Sequence, residues 1–147
     1  MRWVHDNIVR FNGDPSQLYI MGHSAGGHLA SMVLAEVRAF LKGVVSFLEP
    51  VMLSYLNDVL RMDMDMAQRN SPVFLKPANS SPLLLVTGID ESDEFRYQTM
   101  EMYNSWKNKH HCIEVLKIPG KNHYSILDAV VETGSSMQSA IFHLMNI

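Results

Sequence analysis

Ser24 lies in Gly22-His23-Ser24-Ala25-Gly26, directly after the apolar run Leu18-Tyr19-Ile20-Met21. A serine between glycines at this spacing, where a short strand runs into a helix, sits on a sharp elbow that exposes its hydroxyl at the carboxyl end of a sheet. The flanking glycines are expected to permit the tight turn and close packing of helix on strand. A serine hydroxyl is a weak nucleophile and needs a neighbouring base to take its proton. A carboxylate must then fix the tautomer of that base and stabilise its cation. Two other loops offer these groups. Gly88-Ile89-Asp90-Glu91-Ser92-Asp93-Glu94-Phe95 supplies Asp90 and Glu91, and Gly120-Lys121-Asn122-His123-Tyr124 supplies His123. The backbone N–H of Ala25, next after the serine, is the candidate oxyanion-hole donor. The acidic loop has two other readings: a solvated surface loop, and a cation site built from Asp90, Asp93 and Glu94. The remaining histidines have weaker claims. His23 and His28 flank the elbow without metal-ligand spacing, and His110-His111 reads as a solvated helix end. The preferred chemistry implies neither a metal nor an organic cofactor.

The elements that must position these loops can be read from periodicity. Trp3, Val4, Ile8 and Phe11 recur at helical spacing and predict an amphipathic helix over residues 2 to 11, stopped by Gly13 at its C-cap and Asp14-Pro15 beyond. Residues 18 to 21 form a first strand. Residues 26 to 38 form a helix with Leu29, Ala30, Val33 and Leu34 on one face. Residues 41 to 47 form a second strand, residues 53 to 62 a helix, and residues 65 to 70 a further helical turn. Leu83-Leu84-Leu85-Val86 is apolar throughout, as in a strand buried on both faces. Helix is expected over 95 to 107, strand over 112 to 118, and helices over 125 to 131 and 135 to 145. Strands alternating with helices mean βαβ units and a parallel sheet, with ligands at the carboxyl ends of the strands. That rule brings the Ser24, Asp90/Glu91 and His123 loops to one edge.

Composition narrows the class. The chain has 147 residues, 47% hydrophobic and 18% charged, which suits one globular domain with a core of its own. A formal charge of -3 and the lack of a basic run argue against a nucleic-acid partner. No apolar stretch approaches the ~20 residues of a membrane span. The beginning Met1-Arg2-Trp3-Val4-His5-Asp6 lacks the apolar core of a signal peptide, so a cytoplasmic location is expected. The single Cys112 excludes an internal disulfide and reads as a small core residue. The eleven methionines read mostly as flexible core filler, and Asn79-Ser80-Ser81 as a loop rather than a glycosylation site. No G-x-G-x-x-G follows a strand, which speaks against a dinucleotide site.

Trp3-Val4-His5-Asp6-Asn7-Ile8, Phe11-Asn12-Gly13-Asp14-Pro15 and Ile20-Met21-Gly22-His23-Ser24-Ala25-Gly26-Gly27-His28-Leu29-Ala30 together resemble esterases and arylformamidases of the α/β-hydrolase superfamily. The order nucleophile, acid, histidine is also that superfamily's order. Gly88 followed by Glu91-Ser92-Asp93-Glu94-Phe95-Arg96-Tyr97-Gln98 is similar to the G-x-x-D-S-x-E-F-x-x-Q segment of kynurenine formamidases, and Asn122-His123-Tyr124-Ser125-Ile126-Leu127 to their histidine loop. The resemblance runs over nearly the whole chain. It implies Ser24 as nucleophile, His123 as base, and a role in tryptophan catabolism. Its register puts Glu91 at the acid position, with Asp90 as the alternative.

The resemblance has two departures. No H-G-G segment, the family's source of a second oxyanion donor, lies upstream of Ser24. The family's S-G-x-x-D-L-E-P stretch is shortened to Ser46-Phe47-Leu48-Glu49-Pro50. The expected architecture is therefore a partial α/β-hydrolase fold: a single truncated catalytic domain over residues 1 to 147. Its sheet would be mostly parallel, with about four strands flanked by helices and the amino-terminal strands missing. The leading expectation is a serine hydrolase acting on an N-formyl amide or carboxylic ester, with a small acyl substrate as partner. The rival is a silent remnant that assembles through the bare apolar edge of the Leu18–Met21 strand, with a second copy or another chain.

Overall fold

A run that is apolar at every position, such as residues 83 to 86, can be satisfied only by a strand covered on both faces. In the computed structural model, which describes residues 1–36, 40–47, 61, 63–109 and 112–147, that strand lies inside a four-stranded parallel sheet. The strands are β1 (Leu18–His23), β2 (Leu41–Phe47), β3 (Leu83–Gly88) and β4 (Ile113–Ile118), and they neighbour one another in chain order. All three pairings are parallel, with Gly22 beside Ser46, Ser46 beside Leu85, and Gly88 beside Ile118. The helices are α1 (Arg2–Asn7), α2 (Ala25–Glu36), α3 (Met64–Arg69), α4 (Asp93–Trp106), α5 (Asp128–Val131) and α6 (Ser136–Met145). The expected helix over 53 to 62 falls outside the described residues. No helix among the described residues is long and apolar enough to cross a membrane.

Every residue of β3 is buried, and its side chains alternate between two cores. Leu83 and Leu85 join Leu18, Leu41 and Val44 under Ala30 and Leu34 of α2 and Met102 and Trp106 of α4. Leu84 and Val86 join Val45, Phe47 and Ile118 against Ile126, Ala129 of α5 and Met137 of α6. Trp106 is fully buried, and its indole N–H donates to the Pro72 carbonyl at 3.1 Å, which removes the cost of burying that donor.

Several expectations are corrected. The helix over residues 2 to 11 divides into α1 and a 3-10 turn over Ile8–Phe11, and Asn12 rather than Gly13 takes the left-handed capping position at φ 62°. Its apolar stripe is only half used. Val4 and Ile8 pack against the core, while Trp3 and Phe11 are 65% and 64% exposed, with ring centroids 6.4 Å apart. In α2 the buried stripe is Gly27, Ala30, Ser31 and Leu34, and Leu29 is 63% exposed. A hydropathy pattern assigns Leu29 inward and Ser31 outward. The fold reverses this because Ser31 donates to the Ser46 hydroxyl at 2.9 Å, and Ser46 donates to the Gly27 carbonyl at 2.8 Å. This buried chain of hydroxyls fixes how α2 is rotated on β2. Cys112 precedes β4 and is exposed, not in the core. The methionines divide, with Met102 and Met137 in the core and Met21 and Met64 exposed.

The same contact explains a glycine. A Cβ on Gly27 would lie 2.1 Å from the Phe47 carbonyl oxygen, whereas a Cβ on Gly26 meets nothing within 4 Å. Close helix packing thus depends on Gly27, one residue beyond the motif glycine expected to provide it. Gly27→Ala is predicted to destabilise by about 1–3 kcal/mol, because backbone of a central strand must move. Gly26→Ala should leave the melting temperature unchanged or raise it, since alanine favours helix. Thermal melts of the two variants check the ranking, and a harmless Gly27→Ala contradicts it.

Candidate active site

Because β1, β3 and β4 are parallel, the three chemistry-bearing loops leave the sheet on the same edge. Ser24 occupies the single step between β1 and α2, with φ +59°. A left-handed backbone at a residue with a side chain costs about 1–3 kcal/mol and persists only where its surroundings enforce it. Here the enforcement is visible. The N–H groups of Gly27 and His28 donate to the Ser24 carbonyl at 2.9 and 3.1 Å. Gly22 lies so close to the Gly26 carbonyl that a Cβ would sit 2.0 Å from its oxygen. Ala25 opens α2, so its N–H belongs to the first turn, where no intrahelical acceptor exists.

The acid and histidine loops are joined by backbone. The Ile89 N–H donates to the Ile118 carbonyl at 2.9 Å, and the Asp90 N–H to the Lys121 carbonyl at 3.1 Å. Gly88 packs directly on that Lys121 carbonyl, leaving no room for a side chain. Arg96, one turn into α4, donates to the Ile89 carbonyl and pairs with Asp93. Asp93 is thereby tied to a cation of the chain itself, and no group of three or more metal-ligating side chains converges among the described residues.

Of the two candidate acids, the structure brings Glu91 to the histidine. Its side chain is 6% exposed, and Oε1 stands 3.8 Å from His123 Nδ1. That distance is within ion-pair range but longer than a hydrogen bond. Oε2 accepts from the buried Thr87 hydroxyl at 2.9 Å. Asp90 is exposed and contributes its backbone N–H. On the other side of the imidazole, His123 Nε2 lies 3.2 Å from Ser24 Oγ. With Nε2 unprotonated, the serine hydroxyl donates to it, and the ring spans serine and carboxylate.

The ring is also held across its faces. His23 packs beside it with centroids 4.5 Å apart, Phe95 at 4.4 Å, and Tyr124 meets it edge-on at 5.5 Å. Asn122 fixes the loop backbone: its side-chain oxygen accepts from the N–H groups of Tyr124 and Ser125, both at 3.0 Å. Among the flanking histidines, His23 Nε2 donates to the His123 carbonyl at 2.7 Å and His28 Nε2 to the Asn70 carbonyl at 2.5 Å.

The chain is similar to several known proteins. The Carboxylesterase family matches residues 1–46, which include the elbow. Kynurenine formamidase of Salmo salar is 28% identical over 95% of this chain and 53% of its own length. That of Danio rerio is 32% identical over 86% of this chain and 48% of its own. A solved arylesterase structure superposes with a TM-score of 0.69 at 16% identity, covering 99% of this chain and 55% of its own. These relatives and the fold support a relationship to the α/β-hydrolase superfamily, with this chain forming part of that fold. The chain spans about half the length of the curated relatives it matches.

Near the site, Thr87 and Phe95 carried no sequence signal that singled them out. Thr87 reads as the end of an apolar strand, and Phe95 as part of a helix stripe. Asn122 did carry one: Asn followed by His-Tyr-Ser is asparagine turn chemistry, which caps backbone N–H groups through the side chain. Asn122→Ala is predicted to lower stability by about 0.5–2 kcal/mol, as for loss of a helix cap. It should also speed amide exchange at Tyr124 and Ser125. Unchanged exchange at both amides contradicts the assignment.

Proposed function

We propose that this chain acts as a serine hydrolase, with Ser24 as nucleophile, His123 as general base, Glu91 as the orienting acid and the Ala25 N–H as oxyanion donor. The observation that supports it is the position of His123, with Nε2 3.2 Å from Ser24 Oγ and Nδ1 3.8 Å from Glu91 Oε1. The proposed unit is one hydrolase domain comprising all 147 residues, with a cytoplasmic location.

In the proposed reaction, Ser24 Oγ attacks the substrate carbonyl carbon as its proton passes to His123 Nε2. A positioned base of this kind contributes about 10²–10⁴-fold. The carbonyl oxygen gains charge beside the Ala25 N–H, a donor class worth on the order of 10²–10³ in rate. His123 then returns the proton to the departing amine or alcohol, which leaves an acyl ester on Ser24. Water, deprotonated by His123, attacks that ester, releases the acid and restores the hydroxyl. Glu91 keeps the proton of His123 on Nδ1 and stabilises the imidazolium, while Thr87 holds the second carboxylate oxygen.

The proposed substrates are an N-formyl aromatic amide of the N-formylkynurenine type and simple carboxylic esters. Support comes from the relatives named kynurenine formamidase, which match most of the chain, and from the Carboxylesterase family match over the elbow. A fluorophosphonate probe is predicted to label the folded chain at Ser24, with labelling abolished in Ser24→Ala. A folded chain that stays unlabelled overturns the reading. Glu91→Gln should slow hydrolysis of N-formylkynurenine by about 10⁴-fold, by analogy with amide replacement of a triad acid. Asp90→Asn should leave the rate close to that of the unmodified chain. The reverse ranking reassigns the acid.

One observation favours a second reading. β1 has β2 as its neighbour on one side and, among the described residues, no strand on the other; Trp3, Phe11, Met21 and Leu29 are exposed. Such an edge accepts a further strand, and a second copy of the chain is the proposed source. Light scattering on the eluting protein tests this: a stable monomer rejects it.

A further inference from the structure

We infer that His23, the residue before the nucleophile, positions the histidine loop against the elbow. This inference rests on the hydrolase reading above. A carbonyl oxygen only accepts, so the 2.7 Å contact between His23 Nε2 and the His123 carbonyl requires the proton of His23 to be on Nε2. The bond joins residues 100 apart in sequence. One partner is covalently next to Ser24, and the other is the backbone of the base itself. Sliding the histidine loop away from the elbow must therefore break this bond before the 3.2 Å spacing between His123 Nε2 and Ser24 Oγ can widen.

The donor is itself braced. His23 is the last residue of β1, in register with Phe47 of β2, and its ring meets the Phe47 ring edge-on at 5.8 Å and 64°. The same His23 ring lies against the His123 ring at 4.5 Å and 35°, as does the Phe95 ring at 4.4 Å and 38°. Two functions of His23 can thus be separated: an aromatic wall for His123, and an N–H tether to its backbone. Nucleophile and base must be held to within a fraction of an ångström, and a 1 Å misplacement can cost about 10²-fold in rate. The tether supplies that constraint, because ring packing alone leaves translation along the ring plane unopposed.

The two functions separate by substitution in the full chain. His23→Phe keeps the ring and deletes the donor, while His23→Gln keeps an N–H at similar reach and deletes the ring. With p-nitrophenyl acetate, His23→Phe is expected to lose kcat on the order of 10²-fold with KM unchanged. His23→Gln should recover most of that loss. Unmodified kcat in His23→Phe overturns the tether, as does an equal loss in both variants, which would assign the effect to ring packing. Nitrogen NMR of the unmodified protein gives a readout independent of turnover and of variant folding: His23 must carry its proton on Nε2, and a proton on Nδ1 alone overturns the inference. A chain that neither labels at Ser24 nor turns over ester removes the hydrolase reading and this role together. An active chain indifferent to His23→Phe removes the role alone.

Discussion

The backbone of Ser24 is held at φ +59°, a conformation a serine does not adopt unaided. Much of the surrounding structure serves to keep it there. The turn closes because Gly22 tolerates the Gly26 carbonyl at its Cα, and because two N–H groups of α2 converge on the Ser24 carbonyl. Helix α2 holds that position because Gly27 lets it approach the Phe47 carbonyl and because Ser31 and Ser46 bond across the same seam. β2 in turn is fixed between β1 and the fully buried β3. The strain at one residue is sustained by packing that reaches the centre of the sheet.

The same sheet explains why three loops distant in sequence meet. Parallel register places the ends of β1, β3 and β4 on one edge, and short backbone bonds between the Asp90 and Lys121 loops bring the Glu91 and His123 loops together. Glu91 rather than Asp90 faces His123 because Asp90 is committed through its backbone to Lys121, while the Glu91 carboxylate is anchored on Thr87. The extra methylene of a glutamate is compatible with that anchor and still leaves the second oxygen within ion-pair range of the imidazole.

Much of this was legible in the sequence, for identifiable reasons. The apolar run at 83 to 86 and the glycine-flanked serine each have a single structural solution, and both were realised. The choice between Glu91 and Asp90 stayed open because two adjacent carboxylates in a loop differ only in which one the backbone turns inward. Hydropathy misplaced Leu29, Ser31 and Cys112 because it scores a side chain, not its partner. Ser31 is buried only because Ser46 lies opposite, and Cys112 is exposed because it precedes an edge strand. Helical spacing puts Trp3 and Phe11 on the apolar side of an amphipathic helix, yet those rings pair with each other at the surface. The contact from His23 to the His123 carbonyl had no local signature at all, since its partner is 100 residues away.

The central claim is that Ser24 and His123 act together on an acyl carbon. The most direct measurement is rapid-quench mass spectrometry of the chain mixed with an activated ester. The account predicts an acyl adduct on the peptide containing Ser24, formed in a burst and lost as product accumulates. Turnover with the adduct on another residue, or with none on Ser24 at any time, would contradict it.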